Sequence, residues 1–214
     1  MHFFSIIIFI CVFKLSDLST IPKSKINPRT GRKETRYNFS YDNSLLLGMP
    51  NDIHFTLENI HIHFGKVLKP GSEHSINAKV YAGEIHLDHY NPEFPSFTEA
   101  SSGNDPEALV TVAVLFEIDW TLGYHSNFDL FILKYISQVI SPDTPPIPAP
   151  LKLSDLLPNS GDFFTYVVFV SPFTCLKDIR DTPISKFGNS RPAQPVGRRI
   201  VEANFKRAPI NTET

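Results

Sequence analysis

The stretch Leu57-Glu58-Asn59-Ile60-His61-Ile62-His63-Phe64 alternates apolar and polar residues and reads as a β-strand. Successive side chains of a strand point to opposite faces, so Asn59, His61 and His63 share one face. Two imidazoles at this spacing can fill two corners of a tetrahedral zinc ion, at about 2.0–2.1 Å each. A His-x-His pair alone is weak evidence, because histidines also sit hydrogen-bonded in cores. Gly65 ends the strand, and Lys69-Pro70-Gly71 marks a turn.

A second alternating run, Lys79 to Tyr90, strengthens the metal reading. Glu84, His86 and Asp88 share one of its faces; Ile85, Leu87 and His89 share the other. If this strand pairs beside the first, His86 supplies a third ligand. Glu84 is then placed to accept the other ring N–H of a ligand histidine, which fixes its tautomer and raises its basicity. Three neutral imidazoles with an open fourth corner make a catalytic zinc site, where bound water ionises near about pH 7. The cupin pattern, another His-x-His motif, asks for a glutamate a few residues after the second histidine. Val67 and Leu68 fill that window, and the next glutamate is Glu73, so the cupin pattern fits poorly.

Working outward, Leu109 to Phe116 is almost wholly apolar and predicts a central strand covered on both faces. Phe128 to Ile140 has helical spacing of its large apolar residues, and Ser141 to Pro150 must be loop. Phe163 to Phe169 predicts a further strand, and Arg199 to Phe205 a last one. Residues 14 to 50 are polar, punctuated by Gly and Pro, and read as irregular. The 18 prolines argue against long uninterrupted helices. The class is mainly β (α+β), with a few short helices.

The 214 residues, 42% of them hydrophobic, fit one globular domain. A net charge of −2 without a basic stripe argues against a nucleic-acid partner. The Lys/Arg clusters at Lys23 to Arg36 and Arg198 to Arg207 read as solvated surface. The apolar run Phe3 to Phe13 is too short to span a bilayer as a helix and has the length of a signal-peptide core. It lacks a basic lead and a small-x-small cleavage site; the competing reading is a buried N-terminal strand. The expected division is a leader over 1–20, an irregular arm over 21–44, a domain over 45–207 and a tail over 208–214. A leader implies a secreted chain with no membrane span after processing; without it the chain would stay in the cytoplasm. Asn38-Phe39-Ser40 is a glycosylation sequon that matters only on the secretory route. Cys11 would depart with a leader, leaving Cys175 without an internal disulfide partner.

Four blocks resemble the α-class carbonic anhydrases. Ile60-His61-Ile62-His63-Phe64-Gly65 resembles their Phe-His-Phe-His-Trp-Gly, and Gly71-Ser72-Glu73-His74-Ser75 their Gly-Ser-Glu-His-Thr. Tyr81 to Asn91 is similar to Tyr-Ala-Ala-Glu-Leu-His-Leu-Val-His-Trp-Asn, and Asn189 to Pro195 to Asn-Trp/Phe-Arg-Pro-Ala-Gln-Pro. A weaker block, Glu107 to Thr111, places Thr111 where a pocket-lining Val is usual. The resemblance covers roughly residues 45 to 206. It implies a twisted, mostly antiparallel sheet, here incomplete, with a zinc ion on His61, His63 and His86. Asn59 and Glu84 would bond to the ligand rings, and Glu73 would join the hydrogen-bond network behind the zinc hydroxide. His74 and His89 would be buried structural histidines. The implied enzyme is a zinc lyase acting on CO₂ and bicarbonate.

Three departures qualify that expectation. After Phe163-Phe164-Thr165-Tyr166 the chain runs straight into Val167-Val168-Phe169, where the family has Pro-Gly-Ser-Leu-Thr-Thr-Pro-Pro. Neither Thr165 nor Thr174 takes the place of the threonine that orients the hydroxide, and its loss weakens preorganisation. No shuttle histidine is recognisable before Ser44. Asp88 replaces a Val that lines the CO₂ pocket, where a carboxylate would discourage an apolar substrate. An impaired carbonic anhydrase is the expected activity, and a non-catalytic carbonic-anhydrase-related binding protein is the alternative.

Overall fold

The structure is a computed structural model that describes residues 4–12, 40–42, 44–65, 69–103, 105–117, 152–158, 162–170, 190, 196–197 and 199–204. Among these are ten strands: β1 Phe4–Val12, β2 Ser40–Asp42, β3 Leu45–Leu47, β4 Phe55–Phe64, β5 Ser75–Ile76, β6 Lys79–Val80, β7 Gly83–Tyr90, β8 Leu109–Phe116, β9 Phe163–Val170 and β10 Glu202–Ala203. One short helix, α1 Phe97–Ser102, and 3-10 turns at Pro50–Asp52 and Leu153–Leu156 complete the described elements. Eight strands form one sheet in the order β10-β9-β1-β8-β7-β4-β3-β2, and β5 and β6 form a separate hairpin. Every pairing is antiparallel except β1 with β8, which is parallel. The fold is mainly β, as expected.

The sheet has two unlike faces. Ile85 and Leu87 of β7 and Val110, Val112 and Val114 of β8 pack with Leu46, Phe55, Leu153, Leu156 and Phe163 into the main core. On the other face Ala113 and Leu115 pack with Tyr81, and Phe164 and Tyr166 lie against them. Apolar burial on both sides of β8 explains why its sequence lacks polar alternation.

Several elements differ from the sequence reading. Part of the supposed irregular arm pairs: β2 and β3 form a hairpin at the sheet edge, and Leu46 of β3 is buried in the main core. Lys79 to Tyr90 is not one strand. The Tyr81 carbonyl takes the Gly71 and Ser72 N–H groups, and its own N–H goes to Ser72 Oγ, so the ladder breaks between β6 and β7. β9 extends to Val170, while the last strand is confined to Glu202–Ala203. The run Phe4–Val12 is a strand between β8 and β9. The helix expected over 128–140, the Asn38 sequon, Cys175 and Thr174 lie outside the described residues. Among the described residues no helix is long and apolar enough to cross a membrane.

Gly71 packs directly on the end of β4. A Cβ on Gly71 would stand 1.8 Å from the Gly65 nitrogen and 2.1 Å from the Phe64 carbonyl carbon. The main chain after Gly71 therefore crosses the end of β4 in backbone contact, which only glycine permits.

Candidate metal centre

Register places the histidines. β4 and β7 pair Asn59 with Asp88, His61 with His86 and His63 with Glu84. A register shift between Leu57 and Asn59 precedes this run. β8 continues all three rows, with Thr111 beside Asp88, Ala113 beside His86 and Leu115 beside Glu84. The face opposite the main core thus carries a block of polar side chains two strands wide. The ring centroids of His61, His63 and His86 lie 4.6–5.0 Å apart. One nitrogen from each ring falls within 4.8 Å of the others.

Each ring turns its other nitrogen toward a carboxylate. His86 Nε2 is 2.6 Å from Glu84 Oε1, His63 Nδ1 is 3.2 Å from Glu73 Oε1, and His61 Nδ1 is 3.2 Å from Asp88 Oδ2. Asn59 Oδ1 also lies 3.2 Å from His61 Nδ1. Carboxylates accept, so these nitrogens carry the ring protons. The remaining nitrogens are then lone pairs, and His61 Nε2 and His86 Nδ1 stand 3.2 Å apart. Two facing lone pairs at that distance repel unless a proton or a metal ion lies between them. Ligand nitrogens on a tetrahedral zinc are about 3.3 Å apart, so the donor set fits that ion.

Glu84 anchors the arrangement. It is fully buried. Oε2 accepts the Glu73 and His74 backbone N–H groups, each at 2.8 Å, and Oε1 accepts His74 Nδ1 and His86 Nε2. Burial pushes its pKa up, but the bonds from His74 and His86 more than reverse this and hold it well below the usual carboxylate range. The same contacts fasten the turn that carries Glu73 toward His63. For His86, burial lowers the pKa, and the Glu84 bond and charge turn the net shift upward. For Asp88, burial again raises it, and His61, with help from His86 and Thr111, brings it below its ordinary value.

Asp88 does not project alone into the site. Thr111 Oγ1 donates to Asp88 Oδ1 at 2.6 Å. His89, on the opposite face of β7, is buried and bonded to the Val110 carbonyl at 3.3 Å. The residue that the sequence reading left without a role is Tyr166. Its hydroxyl lies 2.5 Å from His74 Nε2 and donates to it, extending the chain from Glu84 through His74 to β9. The Arg199 guanidinium stacks over its ring at 5.4 Å. The only sequence signal for Tyr166 was its place in the block Phe163-Phe164-Thr165-Tyr166. Beyond Tyr166 the chain continues in β9 as Val167–Val170, paired with β1.

A sequence model of the eukaryotic-type carbonic anhydrase family matches residues 22–180. Carbonic anhydrase 3 of Mus musculus is 28% identical over 200 residues, covering 79% of this chain and 74% of that protein. Carbonic anhydrase 6 of Bos taurus is 26% identical over 213 residues, covering 85% and 64%. The mitochondrial carbonic anhydrase 5A of Homo sapiens is 27% identical over 202 residues, covering 81% and 64%. With the family match spanning most of the chain and the sheet arranged as described, the protein belongs to the eukaryotic-type carbonic anhydrases.

Proposed function

We propose that the chain binds one zinc ion through His61 Nε2, His63 Nε2 and His86 Nδ1 and catalyses the reversible hydration of CO₂ to bicarbonate at a reduced rate. The observation that carries this is the convergence of three ring nitrogens whose opposite nitrogens face Asp88, Glu73 and Glu84. Bound zinc supplies the Lewis acidity that makes hydroxide available near neutral pH. The chain's own residues do the rest. Glu84 and Glu73 hold the His86 and His63 rings in the tautomers that point a lone pair inward, as ligation requires. Glu73 also stands at the site's edge, where its carboxylate can take part in ordering solvent. β9 runs on past Tyr166 where the family resemblance implies a threonine-bearing loop, so the contact that would orient a zinc-bound hydroxide is lost. Removal of one preorganised partner costs about 10²–10³ in rate.

The continuation of β9 also favours a second reading, a zinc-holding binding protein without catalysis. Metal content and stopped-flow CO₂ hydration on zinc-loaded protein separate the two. The expected result is one zinc per chain and a measurable rate well below that of an ordinary family enzyme. Full zinc with no hydration supports the binding reading, and protein without zinc removes both.

A further inference from the structure

We propose that Asp88, fixed by Thr111, is a positioning residue for His61, and that it tightens metal binding at the three-histidine centre. This rests on the zinc reading above. Both residues depart from the apolar lining that the family resemblance implies, and the structure bonds the two departures to each other. Thr111 lies opposite Asp88 across the β7–β8 ladder and donates its hydroxyl to Oδ1 at 2.6 Å. Asp88 lies opposite Asn59 across β4, one row from His61, and its Oδ2 reaches His61 Nδ1 at 3.2 Å.

His61 Nδ1 has one proton and two acceptors at the same distance, Asn59 Oδ1 and Asp88 Oδ2. An ionised acceptor makes the stronger bond, so the carboxylate governs the ring. Thr111 leaves Asp88 little rotational freedom, because swinging Oδ2 away from His61 also breaks the bond to Oδ1. Thr111 is itself buried, and an apolar residue at position 88 would strand its hydroxyl without this acceptor. The side chain of Asp88 is 16% exposed, and both its oxygens are engaged by protein donors. Its carboxylate thus acts behind a ligand ring. With Glu73 behind His63 and Glu84 behind His86, every ligand imidazole has its own carboxylate. Such partners raise ligand basicity and hold ring orientation.

The test is zinc affinity by competition with a chromophoric chelator, on the full chain and on Asp88→Asn, Asp88→Val and Thr111→Val. The visible absorption of the cobalt(II)-substituted protein is recorded alongside. Asp88→Val should weaken zinc by about 10- to 100-fold. Asp88→Asn and Thr111→Val should weaken it less, in that order, and the cobalt bands should shift in all three. A purely structural role would lower the melting temperature of the metal-free protein while leaving zinc affinity and the cobalt spectrum unchanged, and that result overturns the proposal. If Asp88→Val does not fold, the near-isosteric Asp88→Asn and Thr111→Val decide: parental affinity in both overturns it. A parent that binds no zinc defeats the three-histidine reading itself. A parent that binds zinc no better than its Asp88 variants defeats only this inference.

Discussion

His61 Nε2 and His86 Nδ1 stand 3.2 Å apart at directly opposed positions of β4 and β7. With their other nitrogens turned to carboxylates, these two nitrogens are spaced to share a metal ion. Zinc should therefore stabilise the fold strongly. At a thousandfold excess over its dissociation constant, zinc adds about 4 kcal/mol. Thermal unfolding with zinc and with excess chelator should differ accordingly, and His86→Ala should abolish the difference. An equal zinc-dependent shift in His86→Ala would place the metal elsewhere.

Glu84 gathers four donors on one buried carboxylate. Truncation to Ala strands the Glu73 and His74 N–H groups and frees two imidazoles. Breaking such a buried charged cluster costs about 3–5 kcal/mol. Urea unfolding of metal-free Glu84→Ala should show that loss, while Glu84→Gln, which keeps the volume and one acceptor oxygen, should lose less. Parental stability in Glu84→Ala would mean that the cluster is replaced by water.

Burial holds the His89 imidazole at a pKa of about 4, against an ordinary value of 6.5. The bond to the Val110 carbonyl and the charge of Asp88 oppose the shift without reversing it. Between these values the unfolded chain binds a proton that the folded chain refuses. Stability from this group is thus complete above 6.5 and declines as pH falls toward 4. The loss approaches about 3 kcal/mol at roughly 1.4 kcal/mol per pKa unit. His89→Gln should flatten that part of the profile when metal-free parent and variant are unfolded in denaturant from pH 7 to pH 4.5. Parallel profiles would show that His89 takes up its proton in the native state.

Strand β1 is the only ladder connection between β8 and β9 among the described strands. Deleting residues 1–12 should therefore detach β9, and Tyr166 with it, from the rest of the sheet. The truncated chain should lose cooperative thermal unfolding and its near-UV circular dichroism. Unchanged unfolding would show that the segment is dispensable, as expected of a leader removed before folding. N-terminal sequencing of the chain purified from a secretory host reads the same question directly.

The three histidines were legible because a strand has a period of two, which puts His61 with His63 and Glu84 with His86 whatever the surroundings. Their pairing across β4 and β7 required only that two alternating runs joined by a turn lie side by side. The partner of His61 was not legible in that way. Facing assigns Asp88 to the right side of the sheet, but rotamer and a neighbour on a third strand decide where its oxygens point. Tyr166 was hidden for a similar reason, since it meets His74 only after distant strands assemble. Helix α1 has a sequence signal of its own: Ser96 and Glu99 have the spacing of a capping box, and the Ser96 side chain accepts the Glu99 N–H. The break at Tyr81 arises from loop hydrogen bonds that alternation does not encode.

The position of β1 bears on how the chain reaches its native state. Synthesis delivers this strand well before its partners: Ile6 pairs with Leu109 and Phe4 with Val170. A nascent chain must therefore carry an apolar, β-prone segment unpaired until much of the polypeptide has emerged. Closing such long loops before any pairing energy is gained makes the final step slow. Completion of the sheet, rather than assembly of the neighbouring β4–β7–β8 hairpins, should set the folding time, and the waiting strand is where aggregation would begin.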